Sequence, residues 1–380
     1  MKIVSVMTTH SRGGAEFAAV EMLDALIDRG HEPVMLTDQP AIARDRRVPV
    51  RPVAIGPKLS TRSWRSLATQ WPALLRDLRT ALEAEAPYDV LLVHYKKEQL
   101  LAAMLPKRLR PAVVWCEWGP IPFPLRKGLP RQLYLAAGRR ADLVLAISQG
   151  THDNVVDVGI PAWKVVTVPN VMRTDEIDYS PAGRARIREE LGIPSEAFVV
   201  GCISRFHPKK RNDVVVDAVK ALNDPHVHLI LAGDGETEAD LRALGAPLGD
   251  RLHVVPTPGG DVGDVLSAFD VSVFCPSPTE GQPRATILAM LARRPALATG
   301  PEGVADMISP EVGGISSPEN DPPALAALLQ RYLDDPALIV SQGETGRALA
   351  ERTYAAPVVA DLLEGLFEQA RGHAARRRGA

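Results

Sequence analysis

Four cations, Arg205, Lys209, Lys210 and Arg211, stand within Ser204–Arg211, directly after the apolar run Phe198–Ile203 and just before the amphipathic stretch Asp213–Leu222. A loop between a strand and a helix is a place where backbone amides and long cationic side chains converge on phosphate. Arg offers a planar fork to phosphate oxygens, and Lys a point charge. At about 4 Å and an effective dielectric near 20, each contact contributes on the order of 4 kcal/mol before desolvation. The bland alternative is a solvated charged surface, which is what most charge runs are. Position at a strand's carboxyl end favours a diphosphate.

A second loop, Pro276–Pro283, carries Glu280-Gly281-Gln282-Pro283 and joins the apolar run Val271–Cys275 to a helical stretch over 284–293 that opens on Arg284. Glu280 suits either of two tasks: capping the positive end of that helix, or presenting a carboxylate to sugar hydroxyls. Pro283 is expected in the first helical turn. Gly13-Gly14 lie between the first strand and the first helix, where glycine either lets amides approach an anion or makes a tight turn. The dinucleotide pattern G-x-G-x-x-G is absent, so Asp38 at the end of the second strand does not indicate a nicotinamide enzyme. His226-x-His228 has no third ligand at metal spacing, so an edge-strand position is expected and no metal site.

These loops are set by an alternation of short apolar runs and amphipathic helices. The runs are 2–7, 34–36, 90–93, 112–115, 143–147, 164–168, 198–203, 228–232, 253–255, 271–275 and 296–298. In the first helix Ala19, Met22, Leu23 and Leu26 share one face, and Gly30 ends it. Near-continuous apolar strands separated by helices imply parallel sheets covered on both faces. A chain of 380 residues exceeds one core at roughly 100–200 residues per domain, and two doubly wound Rossmann-like units account for the pattern. The expected division is 1–172 and 173–356, with 172–194 a polar, irregular join. A helix over 357–371 and a basic tail over 372–380 follow. The two sheets are expected to face each other, with a ligand where their strand carboxyl ends meet.

Composition narrows the classes. With 44 basic and 46 acidic side chains the net charge is -2, which argues against a dedicated nucleic-acid binder. Arg371, Arg376, Arg377 and Arg378 follow with no acid after Glu368, and they read as a frayed, solvated end. Cys116, Cys202 and Cys275 form no Cys-x-x-Cys pair. Each sits in or beside a strand, as a buried apolar thiol does, and a reducing cytoplasm is expected. No apolar run reaches the roughly 18 residues of a membrane span, and the first run is too short for a signal-peptide core. At most a peripheral membrane contact is expected.

Taken in order, Gly13-Gly14-Ala15-Glu16, Val168-Pro169-Asn170-Val171, Ser204-Arg205 to Lys210, Gly233-Asp234-Gly235, Asp270 with Pro276-Ser277, and Glu280-Gly281-Gln282-Pro283 resemble family 4 of the retaining glycosyltransferases across nearly the whole chain. The resemblance implies two Rossmann-like domains in the GT-B arrangement and a last helix that returns to the N-terminal domain. It also implies transfer of a sugar from a nucleotide-diphosphate donor without a metal or other cofactor. Arg205 and Lys210 match the cationic pair on the donor diphosphate. Glu280 matches the first glutamate of a Glu-x7-Glu motif that contacts the donor sugar, with Gly281, Gln282, Pro283 and Arg284 beside it. Gly13 and Gly14 match the loop facing donor and acceptor. Retention is implied by same-face displacement, the leaving phosphate helping to deprotonate the acceptor hydroxyl.

Two positions depart from that pattern. Leu288 stands where the second glutamate usually holds the nucleotide ribose, a loss on the order of 1–3 kcal/mol of donor binding. Trp115-Cys116-Glu117-Trp118-Gly119 replaces a stretch where the family often has a histidine on the sugar's 6-hydroxyl, leaving Glu117 or Trp118 for that place. Leu288 keeps a second reading open, a degenerate relative that binds without transferring. A sugar-nucleotide epimerase is a third. The acceptor is a saccharide, a lipid-linked molecule or a small natural product. Lys96-Lys97 are expected to face the ligand, and the cations from Arg126 to Arg140 to form a solvated face.

Overall fold

The computed structural model describes residues 1–8, 13–56, 59, 63–277, 280–300, 304, 306–315 and 320–379, with backbone alone for 64–68 and 378–379. Ser11, Arg12, Pro278 and Thr279, which fall in the expected ligand loops, lie outside the described residues. The chain divides into two compact units, Met1–Met172 with Ala356–Ala380, and Arg173–Ala355.

The first unit is built on strands β1 (Lys2–Val6), β2 (Glu32–Thr37), β3 (Val50–Pro52), β4 (Val90–Val93), β5 (Ala112–Glu117), β6 (Leu143–Ala146) and β7 (Val165–Thr167). All pairings are parallel and the order is β3-β2-β1-β4-β5-β6-β7, so the winding direction reverses between β1 and β4. Alternate residues serve opposite faces. Ile3, Val90 and Leu92 join one core, and Val4, Leu91 and Val93 the other. Helices α1 (Gly14–Asp28), α2 (Trp64–Glu85), α3 (Lys96–Met104), α4 (Gly128–Gly138) and α5 (Gln149–Val158) cover the sheet. Gly30, at φ +76°, carries the chain out of α1 in the left-handed region that glycine adopts without strain.

The second unit carries β8 (Phe198–Ile203), β9 (Val227–Ala232), β10 (Leu252–Val255), β11 (Val271–Phe274), β12 (Ala296–Ala298) and β13 (Gly313–Ile315). The order is β10-β9-β8-β11-β12-β13, again all parallel, with the reversal between β8 and β11. Its described helices are α6 (Pro181–Glu190), α7 (Asn212–Leu222), α8 (Glu238–Gly245), α9 (Val262–Ala268), α10 (Arg284–Leu291), α11 (Pro322–Asp334) and α12 (Ala337–Tyr354). The final helix, α13 (Ala356–Gly379), belongs to the first unit. There Val359, Leu363 and Phe367 pack beside α1 residues, each such burial stabilising by about 1.5–3 kcal/mol.

Several expectations are corrected. The end of the chain is not frayed: the basic residues continue α13, and Arg377 grips the buried Asp142 carboxylate at 2.9 and 3.1 Å. The join over 172–194 is not irregular throughout, since it contains α6, capped by Ser180 onto the Gly183 amide. The inner face of α6 includes Arg184 and Arg188, which a hydrophobic pattern does not register. Strands β3 and β13 were not expected. β3 is a short, exposed edge ending in Pro52, and β13 contains Gly313, where a Cβ would stand 1.8 Å from the Ala296 carbonyl oxygen. Pro283 precedes α10 rather than lying in its first turn. His228 is on interior strand β9, not at an edge, and stacks on His253 of β10 with its Nδ1 3.1 Å from that ring's Nε2.

Candidate active site

The reversal point of the second unit opens at the carboxyl ends of β8 and β11, where an open parallel sheet leaves a crevice. Ser204–Arg211 and Cys275–Pro283 leave from these two strands and are tied together. The Ser277 amide donates to the Lys209 carbonyl at 2.8 Å, and Lys210 Nζ lies 2.7 Å from Glu280 Oε1. The Lys210 ammonium also sits 5.1 Å from the centre of the Phe274 ring, which confines it over an apolar floor. Arg205 is exposed and makes no ion pair among the described residues. Arg211 is held by Asp213 at 3.0 and 3.1 Å, so its charge is already countered. Of the four loop cations, Lys210 and Arg211 are each clamped by a carboxylate, Glu280 and Asp213, while Arg205 and Lys209 make no ion pair among the described residues.

The loop is held from beneath. Asn212 Oδ1 accepts from Ser204 Oγ at 2.9 Å, and the Phe206 amide donates to the Asp234 carbonyl at 2.7 Å. Gly233 and Gly235 permit that backbone contact: a Cβ would fall 2.0 Å from the Ser204 oxygen at the first and 2.3 Å from the Phe206 oxygen at the second. Gly281 and Pro283 are buried and seat the second loop, while Gln282 and Arg284 are half-buried at the start of α10. Leu288 is half-buried further along the same helix.

The reversal point of the first unit gathers a different chemistry. Gly13 is extended and precedes α1, which opens on exposed Gly14, and Glu16 in the first turn of α1 is buried and accepts from the Tyr95 hydroxyl. That carboxylate complements the positive end of α1. Beyond β4, Lys97 is fully buried and not turned to solvent; its Nζ donates to Thr8 Oγ1 at 3.0 Å and lies 3.6 Å from Glu98. Burial pushes the Lys97 amine down and the Glu98 carboxyl up.

The two candidates at the end of β5 take different positions. Glu117 is 3% exposed and accepts from Gln99 Nε2 at 2.9 Å, from the Tyr134 hydroxyl at 3.0 Å, and from Lys96 Nζ. Trp118 is half-buried, stacks on His94 with ring centres 5.7 Å apart, and donates from Nε1 to His94 Nδ1 at 3.2 Å. The His94 proton is thereby placed on Nε2, 2.8 Å from Ser5 Oγ, and burial pushes this histidine down to about 3. Sequence reasoning missed Ser5, Thr8, His94, Tyr95 and Glu98. The signal was a polar run, His94 to Gln99, placed directly on the end of an apolar strand. The three cysteines are buried and free, and no cluster of three His, Cys, Asp or Glu stands at metal-binding distance among the described residues.

A family model described as glycosyl transferases group 1 matches residues 197–335, the unit with the cationic loop, and one described as glycosyltransferase family 4 matches residues 12–176. The chain belongs to glycosyltransferase family 4. The chain is 28% identical over 239 residues to a 2-deoxystreptamine glucosyltransferase of Streptomyces kanamyceticus, covering 61% of this chain and 59% of that protein. It is 26% identical over 239 residues to an alpha-D-kanosaminyltransferase of the same organism, covering 61% of this chain and 62% of that protein. The matched stretch therefore spans about three-fifths of those two relatives. Among solved structures, HepE of Anabaena in complex with UDP superposes with a TM-score of 0.82 at 20% identity, covering 97% of this chain and 100% of that one. A sucrose-phosphate synthase of Thermosynechococcus elongatus follows at 0.75 and 19%, covering 97% and 98%. The two parallel-sheet units of the chain are those of the GT-B fold.

Proposed function

We propose that this glycosyltransferase moves a sugar from a nucleoside-diphosphate sugar to an acceptor hydroxyl with retention of anomeric configuration. The observation that carries the reading is the placement of two cations at the β8 reversal point: exposed Arg205, without an ion pair among the described residues, and Lys210, confined over Phe274 beside Glu280. Two cations beside a departing diphosphate neutralise charge that grows as the glycosidic bond breaks, the work a divalent metal does in other transferases. Transfer without a metal or other cofactor follows from that role. Glu280, which holds Lys210 at 2.7 Å, is released towards the donor sugar when the diphosphate takes its place. Trp118 is favoured over Glu117 as the first-unit contact to substrate, because the Glu117 carboxylate is already met by three donors.

The test is product formation from a panel of nucleoside-diphosphate sugars, UDP-glucose first because HepE is seen with UDP. Acceptors are 2-deoxystreptamine, named in one relative, and extracts containing saccharides and lipids. Product mass, anomeric configuration by NMR and turnover in a chelator are read together. Retained configuration and undiminished turnover in chelator are expected. A second reading, binding without transfer, is favoured by Leu288 alone; nucleotide binding with no product from any pair would establish it.

A further inference from the structure

We propose that the first unit carries a surface that seats the protein on an anionic lipid bilayer. Between Glu117 and Asp142 the chain has no acid and five cations, Arg126, Lys127, Arg131, Arg139 and Arg140. This stretch folds as a short turn, Phe123–Arg126, followed by α4. Phe123 is 68% exposed, Leu129 67% and Leu133 55%. Leu129 and Leu133 lie one turn apart on the outer face of α4, while Tyr134 and Ala137 supply its buried face. The exposed leucines are thus additional to the helix's packing stripe. Lys127 Nζ stands 5.3 Å from the centre of the Phe123 ring, joining charge to apolar surface. No cation of the stretch is in an ion pair among the described residues.

The occupant is identified by that combination. A merely solvated basic face has no use for a phenylalanine and two leucines in water, and a dissolved polyanion offers them nothing apolar to enter. A bilayer with anionic headgroups satisfies both, taking the apolar side chains below the headgroups and the cations among the phosphates. At 11 residues α4 is too short to span, and no described helix is long and apolar enough to cross a membrane, so the contact lies along the surface. The surface is independent of the transfer reading.

The test is co-sedimentation of the full chain with phosphatidylcholine vesicles and with vesicles containing about one-third phosphatidylglycerol. Binding to the anionic vesicles only is expected, weakened about tenfold or more near 0.5 M salt. Phe123→Ser/Leu129→Ser/Leu133→Ser and Lys127→Glu/Arg139→Glu are each expected to lower partitioning about tenfold or more, with the melting temperature as the check on folding. A milder probe uses the burial of all three native cysteines: Leu133→Cys takes an environment-sensitive dye at that position, whose emission shifts to the blue on anionic vesicles. No partitioning, partitioning equal in the variants, or a dye unmoved by vesicles overturns the proposal. Concentration-dependent self-association that the same substitutions abolish, without vesicle binding, also overturns it and assigns the face to a second copy.

Discussion

Lys210 holds Glu280 at 2.7 Å, a cation from the β8 loop closing on a carboxylate from the β11 loop. An incoming diphosphate competes with that carboxylate for the same ammonium. Glu280→Gln removes the competitor and keeps the shape. It is therefore expected to leave nucleoside-diphosphate affinity unchanged or a few-fold tighter while turnover falls roughly tenfold or more. Calorimetry with UDP beside initial rates separates the two effects. Weaker UDP binding in the variant would show that Glu280 serves the nucleotide.

Arg205 is exposed and without an ion pair among the described residues, so nothing in the fold depends on its charge. Arg205→Ala is expected to leave the melting temperature within a few degrees while kcat falls roughly 10²–10³-fold, the scale for losing one group that stabilises developing charge. Unchanged turnover would remove its diphosphate role.

Asp270 presents the opposite case. Its carboxylate takes Arg184 at 2.7 Å, Arg188 at 2.8 Å and the Val199 amide at 2.7 Å, joining α6 to the start of β8. Asp270→Ala leaves two guanidinium groups uncompensated, Arg188 among them 3% exposed, and is expected to destabilise the second unit by about 3–5 kcal/mol in denaturant unfolding. The same residue falls in the stretches that resemble the family, which shows that a shared motif residue can be structural.

Strands β1, β2 and β4 to β12 were legible because parallel strands covered on two faces must be apolar throughout, as Val90–Val93 and Val227–Ala232 are, whereas the short edge strands β3 and β13 were not. The reversal points were not, since strand order depends on which strands pair and leaves no mark in any one segment. The cationic loop could be found in the chain, but the clamp of Asp213 on Arg211 and of Glu280 on Lys210 could not. One spans two residues and the other 70. Lys97 misled for a physical reason: its sequence neighbourhood is that of a charged helix start, whereas its amine is buried beside adjacent Glu98 by the Gly56 carbonyl and Thr8, 41 and 89 residues away.

Leu288 lies half-buried on α10, outside the second unit's main apolar cluster, so a carboxylate there faces no packing penalty comparable to a core substitution. If α10 brings this position to the ribose, Leu288→Glu supplies two acceptors for the ribose hydroxyls. UDP affinity is expected to rise by about 1–3 kcal/mol, roughly tenfold or more, with unchanged stability. Unaltered affinity by calorimetry would place the ribose elsewhere.

His94 tests the first unit. Burial pushes it down to about 3 from an ordinary 6.5, while Trp118 Nε1–H occupies Nδ1 and Ser5 faces Nε2. The folded protein therefore keeps this ring neutral below about pH 6.5, where the unfolded chain takes up a proton. Its contribution is full above that pH and is lost at about 1.4 kcal/mol per pH unit as pH falls towards 3. The ring signals of His94 in NMR are expected to stay fixed between about pH 8 and 5, and His94→Gln to flatten the acid limb of the stability profile. A midpoint near 6.5 for His94 would mean that the ring is reached by water and that the Trp118 stack is open, removing the support that orients the indole.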